Sequence, residues 1–162
     1  MGLFRAKWTE KIHDEWIRNL LAHRHDLDPA KLARTRGLMN EAVPDSLVEG
    51  YQDLIAGLRL PDEDDRHVLA AAIHCNASAI ITFNLKDFPL DNLAQYNIEA
   101  QHPDEFLFHQ FGLNEAAVLN ASRRCRERLK NPPLSVDDYL LALERCSLPK
   151  CVDHMRDYAG VL

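Results

Sequence analysis

The residues with the clearest chemical potential lie in one segment, residues 60–89, which reads LPDEDDRHVLAAAIHCNASAIITFNLKDFP. Three aspartates, Asp62, Asp64 and Asp65, stand directly before an alanine-rich apolar stretch that predicts a buried helix. Carboxylates gathered at the start of a helix supply the oxygen ligands that a hard divalent cation requires. The first half of the segment therefore indicates a candidate metal site.

The second half of the segment contributes more polar side chains. Residues 79–83 form a short, largely apolar run that predicts a buried strand, and Asn84 and Asp87 follow its C-terminal end. In open α/β sheets, ligands usually bind in the crevice beyond the C-terminal ends of the strands. Together, the two halves favour metal-dependent chemistry on phosphodiesters.

Each aspartate also has a purely structural interpretation. Asp62 and Asp64 have the position of helix N-caps, where unpaired N–H groups and the helix dipole favour a carboxylate. Capping and metal binding remain equal alternatives for these two residues. Capping is the weaker interpretation of Asp65, because one residue is enough to cap a helix.

The neighbouring polar residues are open to the same two interpretations. Asn84 could satisfy the backbone groups of a turn, and a turn cap is favoured over catalysis for Asp87. Arg66 and His67 could contact a phosphate or form ion pairs with the carboxylates, and the ion pair is slightly favoured. None of these choices follows from the local sequence alone.

The composition is that of a soluble globular protein. Of the 162 residues, 46% are hydrophobic and 27% are charged. No apolar run approaches the ~20 residues that cross a bilayer, and the N-terminus lacks the apolar core of a signal peptide. The cysteines have no metal-ligand spacing, so we expect reduced thiols in a cytoplasmic protein.

The net charge of −6 argues against a general nucleic-acid-coating protein, because neutralising phosphates requires basic residues. It does not exclude a nuclease, since a bound cation would offset site carboxylates. A basic cluster remains at residues 123–130, reading RRCRERLK. A solvated helix face is favoured there over an RNA-contacting one.

The pattern along the chain is mostly helical, with few strands. Capping residues and prolines predict helices that begin at Thr9, Asp28-Pro29, Pro44-Asp45, Asp62–Asp65, His102-Pro103, Asn114, Ser135 and Pro149. The strand candidates are Leu58–Leu60, Ala79–Phe83 and Asn97–Ala100. Strands separated by helices predict an α/β fold with a short parallel sheet, and we expect residues 113–162 to form a helical extension packed on residues 1–112.

In the order and spacing of its motifs, the chain resembles the PIN-domain family, in its VapC-like branch with a helical C-terminal extension. Family members carry an aspartate that opens an alanine-rich helix, as in residues 62–72, DEDDRHVLAAA. A strand ending in Thr-x-Asn or Thr-x-Asp and then Asp-Phe follows, as in residues 81–88, ITFNLKDF. Residues 8–16, WTEKIHDEW, resemble the family segment whose acidic helix residue falls on Glu15.

The resemblance implies a ribonuclease directed at single-stranded RNA, with Mg²⁺ or Mn²⁺ held by acidic side chains. Glu15 and Asp65 are the first ligand candidates that it implies, and Asp62 and Asp64 are the next. Asn84 fills a fourth family position, where many members carry aspartate. We also expect the substrate to contact Arg66, His67 and Thr82.

One element of the family pattern is missing. The family begins with a strand that ends in an aspartate, and this strand is central to its sheet. We therefore expect a PIN-like, doubly wound α/β/α fold of three layers that lacks its first strand. We favour a true start that lies roughly 20–30 residues upstream, about the length of one strand–helix unit, over loss of the strand. Without that aspartate, weak metal binding and doubtful activity are expected.

Two function classes remain open after the resemblance. The first is the ribonuclease, acting as the toxin of a toxin–antitoxin pair, with a cognate antitoxin protein as partner and a homodimer as a further expectation. The second is a catalytically silent PIN-like module that binds RNA or a protein. A small-molecule enzyme is disfavoured, because six glycines form no phosphate-binding loop.

Overall fold

The structure, a computed structural model, describes residues 2–162 and has a mixed α/β fold in which helices predominate. Its helices are α1 (Glu10–His23), α2 (Pro29–Ala42), α3 (Arg66–His74), α4 (Leu90–Leu93), α5 (Pro103–Arg128), α6 (Val136–Arg145) and α7 (Pro149–Arg156). Strands β1 (Ala79–Ile81) and β2 (Glu99–Gln101) form a short parallel sheet. None of the helices in residues 2–162 has the length and apolarity that a membrane span requires.

The described residues fall into two compact units. The N-terminal unit comprises residues 2–80 and 84–100, and the C-terminal unit comprises residues 81–83 and 101–162. Each unit contains its own cluster of buried apolar side chains.

Local capping determines where the first two helices begin, as the sequence predicted. The Thr9 hydroxyl accepts a hydrogen bond from the backbone N–H of Ile12 at 3.1 Å, and α1 starts at Glu10, directly after Thr9. The Asp28 carboxylate accepts from the N–H of Ala30 at 2.9 Å, with Pro29 in the first position of α2. Both bonds satisfy N–H groups that a helix leaves unpaired at its start.

Two predicted elements of the N-terminal unit were wrong. No helix begins at Pro44, because Pro44 and Asp45 form a turn in which Asp45 adopts a left-handed conformation (φ 62°). The chain then pairs with Trp8, whose N–H donates to the carbonyl of Ser46 at 2.9 Å and whose carbonyl accepts from Val48 at 2.8 Å. The predicted strand at residues 58–60 is irregular, and β1 and β2 are the two strands of residues 2–162.

The core of the N-terminal unit is built around α3. Leu69 and Ala70 are fully buried, and Leu58 and Leu60 turn their side chains into the same cluster. The alanines of α3 are small enough for neighbouring segments to approach closely. This burial fixes the helix, and with it the aspartates that precede its first turn.

The sheet is shorter than the sequence predicted. Strand β1 ends at Ile81, although the N–H of Thr82 still donates to the carbonyl of Gln101 at 3.0 Å. Strand β2 begins at Glu99, two residues later than expected, because Asn97 adopts a left-handed conformation (φ 55°) at the end of a 3₁₀ turn. An αL residue interrupts the extended backbone that a strand requires.

In the C-terminal unit, the four predicted helix starts are confirmed, and the first of them is the start of α5 at Pro103 after the N-cap His102. Asn114 has non-helical dihedral angles (φ −162°, ψ 88°) inside α5, and its side chain accepts from the N–H of Ala117 at 3.0 Å. It therefore caps a second helical segment after a kink. The hydroxyl of Ser135 caps α6 in the same way, and Pro149 opens α7.

A buried carboxylate joins two helices of this unit. Asp104, in the first turn of α5, is 4% exposed and accepts from the N–H groups of Lys150 and Cys151 at 2.9 and 3.0 Å. Burial alone would raise the pKa of Asp104, but these hydrogen bonds from the start of α7 outweigh it and lower the pKa below its usual range. The charged form is therefore the one that the fold stabilises.

Replacing Asp104 with asparagine should lower the free energy of unfolding by about 2 kcal/mol at pH 7, the worth of hydrogen bonds to a charged group. Because the folded-state pKa is depressed, this contribution is complete above the unfolded-state pKa of about 4 and is lost as the pH falls through the folded-state value. Urea unfolding at pH 7 and at pH 3 measures the difference in unfolding free energy between the wild type and Asp104→Asn at each pH. The exposed Asp137→Asn is the control, and a pH-independent difference for Asp104→Asn would contradict the prediction.

Candidate metal centre

Three carboxylates of the N-terminal unit converge on one point. Asp62, Asp65 and Asp87 each offer one oxygen, and these oxygens all lie within 4.8 Å of one another. Asp62 is exposed, while Asp65 and Asp87 are partly buried. A set of carboxylate oxygens suits the hard ions Mg²⁺ and Mn²⁺ rather than a soft metal.

The segment before α3 places two of these carboxylates. Asp62 precedes the 3₁₀ turn Glu63–Asp65, and its side chain accepts from the N–H of Asp64 at 2.9 Å. Asp65 stands directly before α3 and makes no capping bond with its side chain in the described structure. Asp62 is thus both a cap and a member of the group, so the two interpretations of this residue are compatible.

The third carboxylate comes from the turn after β1. Asp87 ends the 3₁₀ turn Leu85–Asp87, and its Oδ2 accepts a hydrogen bond from the side-chain amide of Asn84. Asn84 therefore orients Asp87 and is not one of the three converging groups. Sequence reasoning gave Asp87 a turn role and kept it out of the site, although its place just beyond a strand end was the available signal.

Electrostatic repulsion acts within this group. Burial raises the pKa of Asp65, and the charges of Asp62, Asp87, Glu15 and Asp64 raise it further, in that order. Each of these four carboxylates therefore lies near enough to disfavour the ionised form of Asp65. A divalent cation bound among them would offset the repulsion.

Glu15 and His67 form a second contact beside the three carboxylates. Glu15 lies on α1 outside the converging group, and its Oε1 is 3.1 Å from Nε2 of His67 and 3.9 Å from Nζ of Lys11. Burial is the main cause of a raised pKa at Glu15, opposed in part by Lys11. Burial also lowers the pKa of His67 to about 4.

The predicted substrate-contacting residues lie in different surroundings. His67 is 1% exposed, so its ring offers no surface to a substrate, contrary to the expectation that it contacts RNA. Arg66 donates to the carboxylate of Glu63 at 2.9 Å and to its carbonyl at 3.0 Å, which is the ion-pair alternative. Thr82 belongs to the C-terminal unit at the end of β1. Asp64 is exposed and outside the converging three.

A shallow groove of about 510 Å³ lies in the N-terminal unit. Its wall is formed by residues 56–60 together with Glu63 and Arg66. Arg59 is exposed, and its guanidinium makes no ion pair with the described residues. The groove thus has a mixed polar and apolar lining that includes Arg59, a few residues from Asp62 in the sequence.

Comparison with known proteins agrees with these motifs. Residues 103–157 match the family model of the VapC50 C-terminal domain. A protein of Mycobacterium tuberculosis named "Putative ribonuclease VapC50" is 44% identical over 94 residues, which cover 58% of this chain and 55% of that protein. Over the matched residues, the chain is similar to VapC-like proteins.

The match covers about half the length of the curated relative. No solved structure matches the chain. The similarity to VapC50 therefore rests on sequence, and the arrangement of the candidate site comes from the geometry of Asp62, Asp65 and Asp87.

Removing one neighbouring charge should change the titration of Asp65. In the metal-free protein, Asp62→Asn should lower the pKa of Asp65, because one of the like charges that raise this pKa is lost. Carboxyl ¹³C NMR over a pH series measures it. Asp91→Asn, an exposed residue of α4, is the control, and an equal response of Asp65 in the two variants would refute the close approach.

Proposed function

We propose that this VapC-like chain is a metal-dependent endoribonuclease that acts on single-stranded RNA. The convergence of three carboxylate oxygens within 4.8 Å carries the proposal, because phosphodiester cleavage at such a site needs a hard cation. The name of the Mycobacterium tuberculosis relative, "Putative ribonuclease VapC50", supports the same reaction class. We further propose a PIN-like fold of three layers that lacks its first strand for the N-terminal unit, with the C-terminal unit as its helical extension.

The donor set fits Mg²⁺ or Mn²⁺. Asp62, Asp65 and Asp87 would hold the ion, since they are the carboxylates whose oxygens converge. When bound, the ion would polarise the scissile phosphate and lower the pKa of a water. Asn84 keeps the Asp87 carboxylate in place through its amide, and Glu15 adds negative charge at the edge of the group.

Cleavage of a single-stranded RNA in Mn²⁺ tests the proposal. We expect that EDTA abolishes cleavage and that Asp65→Asn and Asp87→Asn each reduce its rate by at least about 100-fold. Loss of a residue that only orients a metal ligand already costs about 10–100-fold, so loss of a ligand should cost more. Asp91→Asn should retain the wild-type rate. A gel assay with end-labelled RNA measures all four proteins.

The outcome also separates the two function classes. RNA binding without cleavage in Mn²⁺ or Mg²⁺ would favour the catalytically silent module. Cleavage that survives EDTA would contradict the metal-dependent site. Equal loss in Asp91→Asn would indicate damage to the fold, because Asp91 lies outside the converging group.

Arg59 is the residue of the groove that we propose for RNA-backbone binding. An RNA strand that approaches five carboxylates needs a cation to offset phosphate repulsion, and Arg66 is already paired with Glu63. Arg59 has no such partner among the described residues, and the groove that it lines has space for a nucleotide-sized group.

Replacing Arg59 with alanine should weaken RNA binding roughly fivefold, the effect of about 1 kcal/mol. The salt dependence should also fall by about 0.7 in log–log slope, the value for one phosphate of a single strand. Fluorescence anisotropy in EDTA measures binding without cleavage. Arg34→Ala is the matched control, since Arg34 is an exposed arginine on α2 of the same unit outside the groove, and equal slopes for the two variants would exclude the contact.

We propose a cognate antitoxin as the protein partner of the chain, as the VapC-like assignment suggests. The acidic group of Asp62, Asp65 and Asp87 is complementary to a basic side chain, so an inserted arginine would neutralise the site. A homodimer is a further expectation from the resemblance, and co-purification with light scattering would test both assemblies.

A further inference from the structure

His67 is the least expected side chain of α3. It is 1% exposed and stands in a helix whose buried positions are otherwise leucine and alanine. Neither ring nitrogen has a hydrogen-bond partner among residues 2–162. An apolar residue would fill the same position without the cost of two unpaired polar atoms, which burial makes expensive.

One polar atom lies close to this ring. Nε2 of His67 is 3.1 Å from Oε1 of Glu15, a separation within hydrogen-bond range although the angle is not that of a hydrogen bond. Lys11 approaches the same oxygen at 3.9 Å, but its side chain is 48% exposed. His67 is thus the buried neighbour of Glu15, and Lys11 is the exposed one.

The position of Glu15 matters for the candidate metal centre. Its charge raises the pKa of Asp65, and the charge of Asp64 in turn raises the pKa of Glu15. Glu15 therefore borders the three converging carboxylates without being one of them.

We propose that His67 is a positioning residue: a small rotation in solution brings its Nε2–H onto Oε1 of Glu15, 3.1 Å away, and the bond holds this carboxylate beside Asp62, Asp65 and Asp87 as a fourth group of the metal centre. The proposal rests on the metal site of the proposed function. It assigns the Nε2–H tautomer and leaves Nδ1 as the unpaired acceptor. A neutral imidazole orients the carboxylate without cancelling its charge, as partners of metal ligands commonly do.

Calorimetry with Mn²⁺ on the metal-free full chain tests the role. His67→Leu should lower Mn²⁺ affinity about 10–100-fold. His67→Gln, which keeps a donor, should stay within about threefold of wild type. His74→Leu is the matched control, because it makes the same substitution at an exposed position of the same helix. Melting temperatures in EDTA confirm that each variant is folded.

A double-mutant cycle separates positioning from a general packing effect. If His67 acts through Glu15, His67→Leu should cost little further Mn²⁺ affinity in a Glu15→Gln background. Equal costs in both backgrounds would overturn the proposal. So would wild-type affinity in His67→Leu, or a loss in His67→Gln as large as that in His67→Leu.

A metal-free measurement keeps the proposal independent of the metal site. Imidazole ¹⁵N NMR in EDTA should show an Nε2–H tautomer at His67, with a proton protected from exchange that loses its protection in Glu15→Gln. An Nδ1–H tautomer would overturn the role of His67 whatever the metal does. Failure of the wild-type chain to bind Mn²⁺, with the Nε2–H signal present, would overturn the metal centre and leave the Glu15 contact established.

Discussion

Repulsion between carboxylates is the constraint on which the N-terminal unit depends. The fold holds Asp62, Asp65 and Asp87 with oxygens within 4.8 Å of one another, and Glu15 and Asp64 are close enough to raise the pKa of Asp65. Such an arrangement opposes folding unless other interactions offset it. The Asp62 cap and the Asn84 amide do so in part, because each gives a hydrogen-bond donor to one carboxylate. A divalent cation would offset the remainder.

Burial of α3 makes the repulsion tolerable. Leu69 and Ala70 are fully buried, so the start of the helix cannot move away without exposing its apolar face. Asp65 is therefore held by the packing of the residues that follow it, since its own side chain makes no capping bond in the described structure. The free energy of core formation thus determines the geometry of the site, as in other sites that rigid elements position.

Local chemistry could be predicted from the sequence, and nonlocal pairing could not. Thr9, Asp28 and Ser135 act within three residues of their own positions, so their caps follow from the sequence. The helix expected at Pro44 fails because residues 46–48 pair with Trp8, a partner more than 30 residues away that no local pattern reveals.

The site shows the same division between local and nonlocal information. The sequence brought Asp62, Asp65 and Glu15 to attention through the order of their motifs. It could not show that Asp87 turns back toward Asp62, or that His67 faces inward to Glu15, because both facts depend on how separate segments pack. Residue type alone favoured a turn for Asp87 and slightly favoured an ion pair with the carboxylates for His67, without identifying Glu15 as its partner.

In the C-terminal unit, one buried carboxylate joins the first and last helices of the matched family segment. Asp104 lies in the first turn of α5, where the match to the VapC50 C-terminal domain begins, and it binds the start of α7, where the match nears its end. The unpaired N–H groups at the start of α7 would otherwise be buried without acceptors. Because Asp104 satisfies them from 46 residues away, the segment closes on itself around its own apolar core. This closure gives a physical reason why residues 103–157 are recognisable as a unit.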